Sequence, residues 1–459
     1  MPSIKNLALA SKKRAFFGAL SFLLLTGTTI AKAEMTATAQ QVSAYQDLSE
    51  KERVGILIRL AKSGQHELAA SLLTRFPLTG PFAKNRSLFL EGLILHGRGN
   101  LTGAAEKYRA ALANDPSLTL VRSELAQTLF ELEDDESAKH NLKLLMAEAP
   151  SQDAANGIRS FIDSIDARRP FTFNTYVSAA PSTNINNGSS IKTVYNPDGS
   201  SITVDEASRK KSGIGFAGGG SVGYSKRLGN HASIVATANA NARLYDDKTF
   251  NIYGTSESAE LRYLFQGGYT GFGIVASQIV NSDIDGLSYH SYGPRVSLVK
   301  DVSPRNRLSL SSVYEWRTNP DNKLSDGTAL MFDGSWSHAF ASDATVSATM
   351  GYDRVISGID YNSYKSYSIG MGLYKELPFG ITTNFNAQYI KSDFDSIFPI
   401  YGVVRDDKRY IGSISLTKRD FNIFGYAPTV EYTYLRNYSN VANYEYDSHS
   451  FDFRLTKDF

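Results

Sequence analysis

Apolar and polar positions follow two different rules along this chain. In the first third they recur at helical spacing. Leu88, Gly92 and Leu95 share one face, as do Leu125, Leu129 and Leu132. Beyond Pro170 the period drops to two. Ile234, Ala236, Ala238, Ala240 and Ala242 alternate with Val235, Thr237, Asn239, Asn241 and Arg243. Tyr292, Pro294, Val296 and Leu298 follow the same rule, as do Tyr367, Ile369, Met371 and Leu373, and Tyr410, Gly412, Ile414 and Leu416. The last nine residues, "FDFRLTKDF", place Phe451, Phe453, Leu455 and Phe459 on one side and Asp452, Arg454, Thr456 and Asp458 on the other, with only Lys457 off pattern. The change of period falls in "DARRPF", where Pro170 stops a helix.

The helical part repeats. A step of 34 residues carries Gly92 to Ala126, Leu95 to Leu129, Ala104 to Ala138, Tyr108 to Leu142, Ala111 to Leu145 and Pro116 to Pro150. That is the tetratricopeptide period, and "GNLTGAAEKYRAALANDP" resembles the second helix of such a unit. Small residues at Ala104 and Ala111 let paired helices approach. "SGQHELAASLLTRFP" (63–77) reads as a degraded earlier copy, one residue out of register. The alternative is an ordinary helical bundle with chance spacing, and the six matched positions favour the repeat.

The second part predicts about fourteen antiparallel strands closed into a transmembrane barrel, an even number. Turn residues separate them at Ser303–Asn306, Ala341–Asp343, Leu377–Gly380 and Asn422–Gly425. Long connections, such as Thr183–Lys211 and Asp393–Asp407, are expected to alternate with tight turns, as external loops alternate with periplasmic ones. A soluble sandwich would also alternate apolar and polar residues. Aromatics at the strand ends, exemplified by Trp316, Trp336, Tyr426 and Tyr434, favour membrane girdles instead. A final amphipathic strand then has a reason: it must close on the first strand, because an open edge is not tolerated in lipid. Its terminal Phe459 resembles the signal that barrel assembly machinery reads.

Composition sharpens this division. Residues 34–169 hold 7 Phe and Tyr, whereas 170–459 hold 43 Phe, Tyr and Trp. Lys12, Lys13 and Arg14 precede an apolar run from Ala15 to Leu25 and a small-x-small site at Ala31–Ala33, which reads as a cleaved secretory leader over residues 1–33. Removing its five basic residues takes the formal net charge from +2 to −3, so the basic balance belongs to the leader and points to no nucleic-acid partner. The domains expected are a leader (1–33), a periplasmic tetratricopeptide-like domain (34–169) and an outer-membrane barrel (170–459). With no cysteine there is no disulfide, thiolate metal site or thiol nucleophile, and the mature chain is not itself a lipoprotein.

Motifs that look chemical fit this division poorly. "GIGFAG" (213–218) and "GGSVG" (219–223) match dinucleotide and nucleophile-elbow patterns in form, but both require a following helix where a strand is predicted. His66 in "HELAA" lacks the second histidine of a zinc motif, and Arg209–Lys211 reads as a basic loop facing lipopolysaccharide. No acid–base pair or metal cluster assembles; no enzyme and no cofactor are expected.

Leader, short helical domain and barrel together resemble the surface lipoprotein assembly modifier (Slam) family of Gram-negative outer-membrane translocators. The sharpest local likeness is "PFTFNTYVSAAPSTNINNG" (170–188), which resembles the family's entry into the barrel through Ala180, Pro181, Asn184, Ile185, Asn186 and Asn187. An Asn-rich external turn would carry the same residues. The resemblance implies export or surface display of a partner protein, either a surface lipoprotein or a secreted haem- or iron-binding protein. Cargo would meet the first helix of each repeat: Arg86, Phe89, Leu93 and His96 in one, Leu120, Ser123, Gln127 and Phe130 in the next. Burial of Phe89, Leu93 and Phe130 for packing is the competing expectation. Two other functions stay open, a tetratricopeptide-barrel exporter of polysaccharide and an outer-membrane hydrolase. The final strand makes the first prediction. Deleting Phe459 should lower the amount of chain in outer-membrane fractions on immunoblots; wild-type levels would refute its role in assembly.

Overall fold

The computed structural model describes residues 45–195, 200–281, 288–419, 421 and 426–456. The expected leader and the terminal Phe459 lie outside the described residues, as does the turn at Asn422–Gly425.

Among the described residues seven helices come first: α1 (Glu50–Lys62), α2 (His66–Arg75), α3 (Ala83–Gly97), α4 (Leu101–Asn114), α5 (Thr119–Glu131), α6 (Asp135–Met146) and α7 (Gln152–Arg168). Local chemistry starts several of them. Ser49 and Glu52 form a reciprocal capping box at α1, and Asn100 and Ser151 accept from the first-turn amides of α4 and α7. The 34-residue step holds in space: moved by 34, α3 and α4 fall on α5 and α6. Ala104, Ala126 and Ala138 are fully buried, and Tyr108 and Leu142 are buried beside them. Gly92 is required by the pairing, because a Cβ there would come within 2.3 Å of the Tyr108 ring. In the degraded copy, Ala69 of α2 takes the place of Ala104 at a step of 35, the expected one-residue slip. The helices share one apolar core running from Leu57 through Leu90, Ala105 and Leu125 to Ile165.

The strands are β1 (Phe171–Ser182), β2 (Thr193–Tyr195), β3 (Ser201–Thr203), β4 (Gly213–Arg227), β5 (Ala232–Tyr245), β6 (Ile252–Phe265), β7 (Gly268–Asn281), β8 (Tyr289–Ser303), β9 (Asn306–Thr318), β10 (Gly327–Ala341), β11 (Ala344–Ser357), β12 (Tyr364–Leu377), β13 (Ile381–Phe398), β14 (Val403–Lys418), β15 (Ala427–Ser439) and β16 (Tyr446–Thr456). Fourteen of them close into an antiparallel barrel in sequence order, with β16 paired back onto β1; β2 and β3 form a separate hairpin in the first long connection. Closure pairs Tyr176 with Thr456 and Ala179 with Phe453, and resumes at Ser182 with Ser450.

Alternation orders the wall. Phe216, Ile274, Met350, Ile369 and Phe453 point outward and are exposed, as a wall facing lipid requires. Phe451 and Leu455 share that outer face. Inward positions are polar: Thr237 meets Ser258 at 2.7 Å, and Glu431 pairs with Arg454 at 3.1 Å. Trp316 clusters with Tyr292 and Tyr314 toward one end of the wall, Trp336 with His338 and Phe340 toward the other. Tyr434 lies near the middle of β15 rather than in a girdle.

One expected loop is absent. Asp393–Asp407 is a hairpin that continues the ladder, with Asp393 opposite Asp406 and Phe398 opposite Val403, so only 399–402 turn. Polar residues misled here because a strand rising beyond the membrane has no apolar face to display. The first long connection does carry its own fold. Asn184 donates to the carbonyls of Gly188 and Asp447 at 2.9 Å each and accepts from the Gly188 amide, and Asn186 donates to the Arg209 carbonyl. Asn187 takes the left-handed φ of 51°, which asparagine tolerates. Pro181 faces outward at the β1–β16 seam, where the ladder pairing is interrupted. Ser200 lies in this connection, and Asn306 starts β9 at the opposite end. A cysteine at Ser200 should react with a membrane-impermeant maleimide on intact cells, and one at Asn306 should not; the reverse labelling would invert the topology.

Candidate functional site

The helical domain is seated on the barrel's short turns. Glu376, at the end of β12, is fully buried between the two parts. Its carboxylate accepts from Arg122 of α5 at 2.6 Å and from Arg419 at 2.7 Å, and His140 Nε2 of α6 lies at 3.8 Å. The Tyr374 hydroxyl donates to the same carboxylate at 2.9 Å. Arg122 is itself buried and also donates to the Pro116 carbonyl at 2.7 Å. A buried carboxylate is tolerable only with its charge matched and its lone pairs filled, and both conditions are met here. Next to this cluster the Phe379 amide donates to the Ala113 carbonyl at 2.5 Å, with Phe379 held at a left-handed φ of 65° and Lys418 donating to its carbonyl.

Other turns repeat the attachment. Arg159 of α7 bonds Asp301 at 2.5 Å, Arg305 donates to the Ala147 carbonyl at 2.9 Å, and the Ser342 amide donates to Glu148 at 2.9 Å. Arg227, the last residue of β4, is exposed and pairs with the half-buried Asp163 at 2.8 Å. Burial outweighs the Arg227 charge at Asp163 and pushes its carboxyl above the usual range. Contacts therefore reach the turns after β4, β8, β10 and β12, and Arg419 beyond β14.

Above this seat the lumen is polar. Small hydroxyl residues wall one side, among them Ser297, Ser309, Ser311, Ser335 and Ser368, with Arg295 and Asp333 beside them around a cavity of about 220 Å³. A fourteen-stranded barrel is wider than the eight-stranded kind that side chains can fill, and a wall of serines fills it less still.

The residues expected to face cargo separate into two groups. Phe89, Leu93 and Ser123 are buried in helix packing, with the Phe89 ring tilted against Tyr108, and are not available to a ligand. The helical period put them on the first-helix face, but that face is covered by the neighbouring helices. Phe130 packs edge-on against Phe161 under the Arg168 guanidinium. His96 pairs with Glu131 at 3.2 Å, and that hydrogen bond holds the imidazole above the ordinary histidine range. Gln127 donates to Glu131, and Arg86 pairs with Glu50 at 2.7 Å. Leu120 remains exposed. It lines a cleft of about 500 Å³ with Arg86, Leu118 and Phe82. Phe82 escaped the sequence reading. It is 71 % exposed, precedes α3 and holds a left-handed φ of 66°. The signal available was a large aromatic after "TGP", outside any helical stripe.

Neither glycine motif is catalytic in form. Gly213–Gly223 lies wholly within β4, so Ser221 sits mid-strand opposite Asn174 and Asn239 rather than on a strand-to-helix turn. Among the described residues no group of His, Asp and Glu is arranged to hold a metal.

A closed fourteen-strand barrel with a lipid-facing apolar wall and a helical domain anchored on its turns defines an outer-membrane β-barrel protein. The surface lipoprotein assembly modifier family profile matches residues 171–459, and the chain belongs to that family. It is similar to surface lipoprotein assembly modifier 1 of Haemophilus influenzae, 23% identical with 95% of this chain and 89% of that one covered. A namesake from Pasteurella multocida is 20% identical, covering 80% and 75% of the two chains. Among solved structures, a FadL homologue of Pseudomonas aeruginosa aligns with 71% of this chain and 94% of its own at 11% identity and a TM-score of 0.37. The NanC porin aligns with 61% and 98% at 11% identity and a TM-score of 0.30.

The Glu376 cluster generates a prediction. Glu376→Ala leaves Arg122 and Arg419 facing each other without a carboxylate, a loss of about 3–5 kcal/mol by analogy with broken buried pairs. Backbone amides of α5 and α6 should then exchange hydrogen much faster. Arg227→Ala, which removes an exposed pair, should cost about 1 kcal/mol or less and leave their exchange unchanged. Equal exchange in the two variants would deny the cluster its anchoring role.

Proposed function

We propose that the chain is a non-enzymatic outer-membrane translocator that brings a partner protein to the cell surface, with a surface lipoprotein as the cargo class. The relatives' names carry the cargo class. One observation carries the mechanism: a helical domain is anchored through Glu376 under a hydroxyl-lined lumen. In this reading the helices lie in the periplasm, because the short turns they grip are the periplasmic ones. Cargo meets the helical domain first, at the cleft bounded by Phe82 and Leu120. Large aromatic side chains and arginine are the usual anchors of a protein-binding surface, and Leu120 extends the apolar area beside them. No nucleotide is available in that compartment, so binding and folding on the outside supply the direction. A secreted haem- or iron-binding protein would meet the same chemistry. The reading assigns the chain no catalytic group and no cofactor.

Phe82→Asp with Leu120→Asp tests the cleft. Both side chains are exposed, so the pair should leave the fold and the barrel's heat-modifiable mobility unchanged. Arg86 is a poorer probe, because reversing it would set a second carboxylate against Glu50. Surface display of a co-expressed lipoprotein encoded beside this gene, read by flow cytometry, should fall roughly tenfold or more. Undiminished display at normal barrel levels would sink the cleft as the cargo site.

A further inference from the structure

The outward face of the barrel contains one carboxylate where none is expected. Outward residues of β6 run Tyr253, Thr255, Glu257, Ala259, Leu261 and Tyr263, and Glu257 is exposed. It stands between a tyrosine near each end of its own strand. Across the ladder its row passes through Ala238 and Val222 to Phe173 at the start of β1, and through Ala276 to Tyr292 beside Trp316. Aromatic residues therefore bound Glu257 in both directions, which places it inside the apolar band rather than at a rim.

Among the described residues no cation answers its charge. Glu257 makes no hydrogen bond or ion pair among the described residues, and the outward faces of β5, β6 and β7 carry no Lys or Arg. Arg243 and Arg262 point inward, to Asp452 and Glu260. Its neighbours along the strand and toward β5 are short: Thr255 and Ala259 along the strand, Ala238 opposite, Ala236 and Ala240 on the diagonals; toward β7 Ala276 stands opposite, with Ile274 and Gln278 on the diagonals. On the β5 side these alanines offer only short side chains, where the wall elsewhere presents Phe, Ile, Met and Tyr. An ionisable group in the hydrocarbon layer is costly and marks a functional contact whose partner supplies the opposite charge. Close approach across small residues is how membrane segments pack when no hydrophobic effect drives them together.

We propose that the β5–β7 face around Glu257 is an intramembrane docking surface for a membrane-embedded protein segment that presents a lysine or arginine to the carboxylate. A second copy of this chain does not fit, since the same face would bring carboxylate against carboxylate and offer no cation. The surface is separate from the cleft at Phe82 and stands whether or not that cleft binds cargo.

A reconstitution of the full chain tests this. The chain, labelled with a donor through a cysteine placed at Ser200, is inserted in phosphatidylcholine vesicles. The probe is an acceptor-labelled membrane-spanning peptide of leucine and alanine with one central lysine; its twin carries methionine there. Energy transfer should report the lysine peptide enriched about fivefold over the methionine twin around the wild-type chain. Glu257→Gln, which removes a lipid-facing charge and keeps the barrel's heat-modifiable mobility, should bring the two peptides level. Glu257→Lys should prefer a peptide with central glutamate. Equal transfer from both peptides to the wild type, or a lysine preference that survives Glu257→Gln, would overturn the proposal. So would self-crosslinking through Ala238→Cys in vesicles holding only this chain, because the face would then be a homodimer contact.

Discussion

Inside a bilayer no water is present to satisfy a backbone amide or carbonyl, and the rest of this structure depends on that fact. Every strand between Phe171 and Thr456 that enters lipid must find a neighbour on both sides, so the fourteen strands close and β16 returns to β1. Alternation follows from closure. Once the backbone is paired, only side chains meet the two solvents, and residues two apart share one of them. The run of Ile, Phe and Met on one side and Ser, Thr and Asn on the other is the result. The same rule makes Glu257 conspicuous, because it breaks the alternation's chemistry without breaking its geometry.

A second constraint couples the halves. The short turns of the barrel cannot form a core of their own, and the helical domain supplies cover for them. Glu376 is where the coupling is strongest: one carboxylate and Arg122 fully removed from water, with Arg419, a histidine and a tyrosine closing round them. Such a cluster adds little net stability over an apolar contact, but it is unforgiving of displacement. It therefore sets where the helices sit relative to the barrel more than how firmly the protein folds. Surface pairs such as Arg227 with Asp163 add orientation at small energetic weight.

Local rules were legible wherever one physical demand acted alone. Period two from Ile234 to Ala242 described a wall strand correctly because lipid on one side and a polar lumen on the other leave no competing demand. The 34-residue repeat was readable for a similar reason: Gly92 and Ala104 must be small for helices to pair, whatever surrounds them. Reading faltered where two demands overlapped. Asp393–Asp407 looked like a loop because a strand outside the membrane loses its apolar face yet keeps its ladder. Phe89 and Leu93 lay on the expected ligand face by sequence spacing, but the neighbouring helices cover them.

By itself the sequence determined the two periods, the boundary at Pro170, the even-stranded closed wall and the direction of its lipid side, since each depends on residues a few positions apart. It also held the asparagine run whose side chains fold the first long connection against β16. What it could not hold were pairings between residues far apart in the chain. Arg122 and Glu376 are ordinary surface candidates in sequence and become buried partners only when the domains meet. Phe82 is unremarked until its neighbours leave it exposed at the mouth of a cleft, and Glu257 is one acid among many until the ladder sets it between two aromatic rows. Burial and charge compensation are properties of a residue's surroundings, and only the tertiary structure supplies those surroundings.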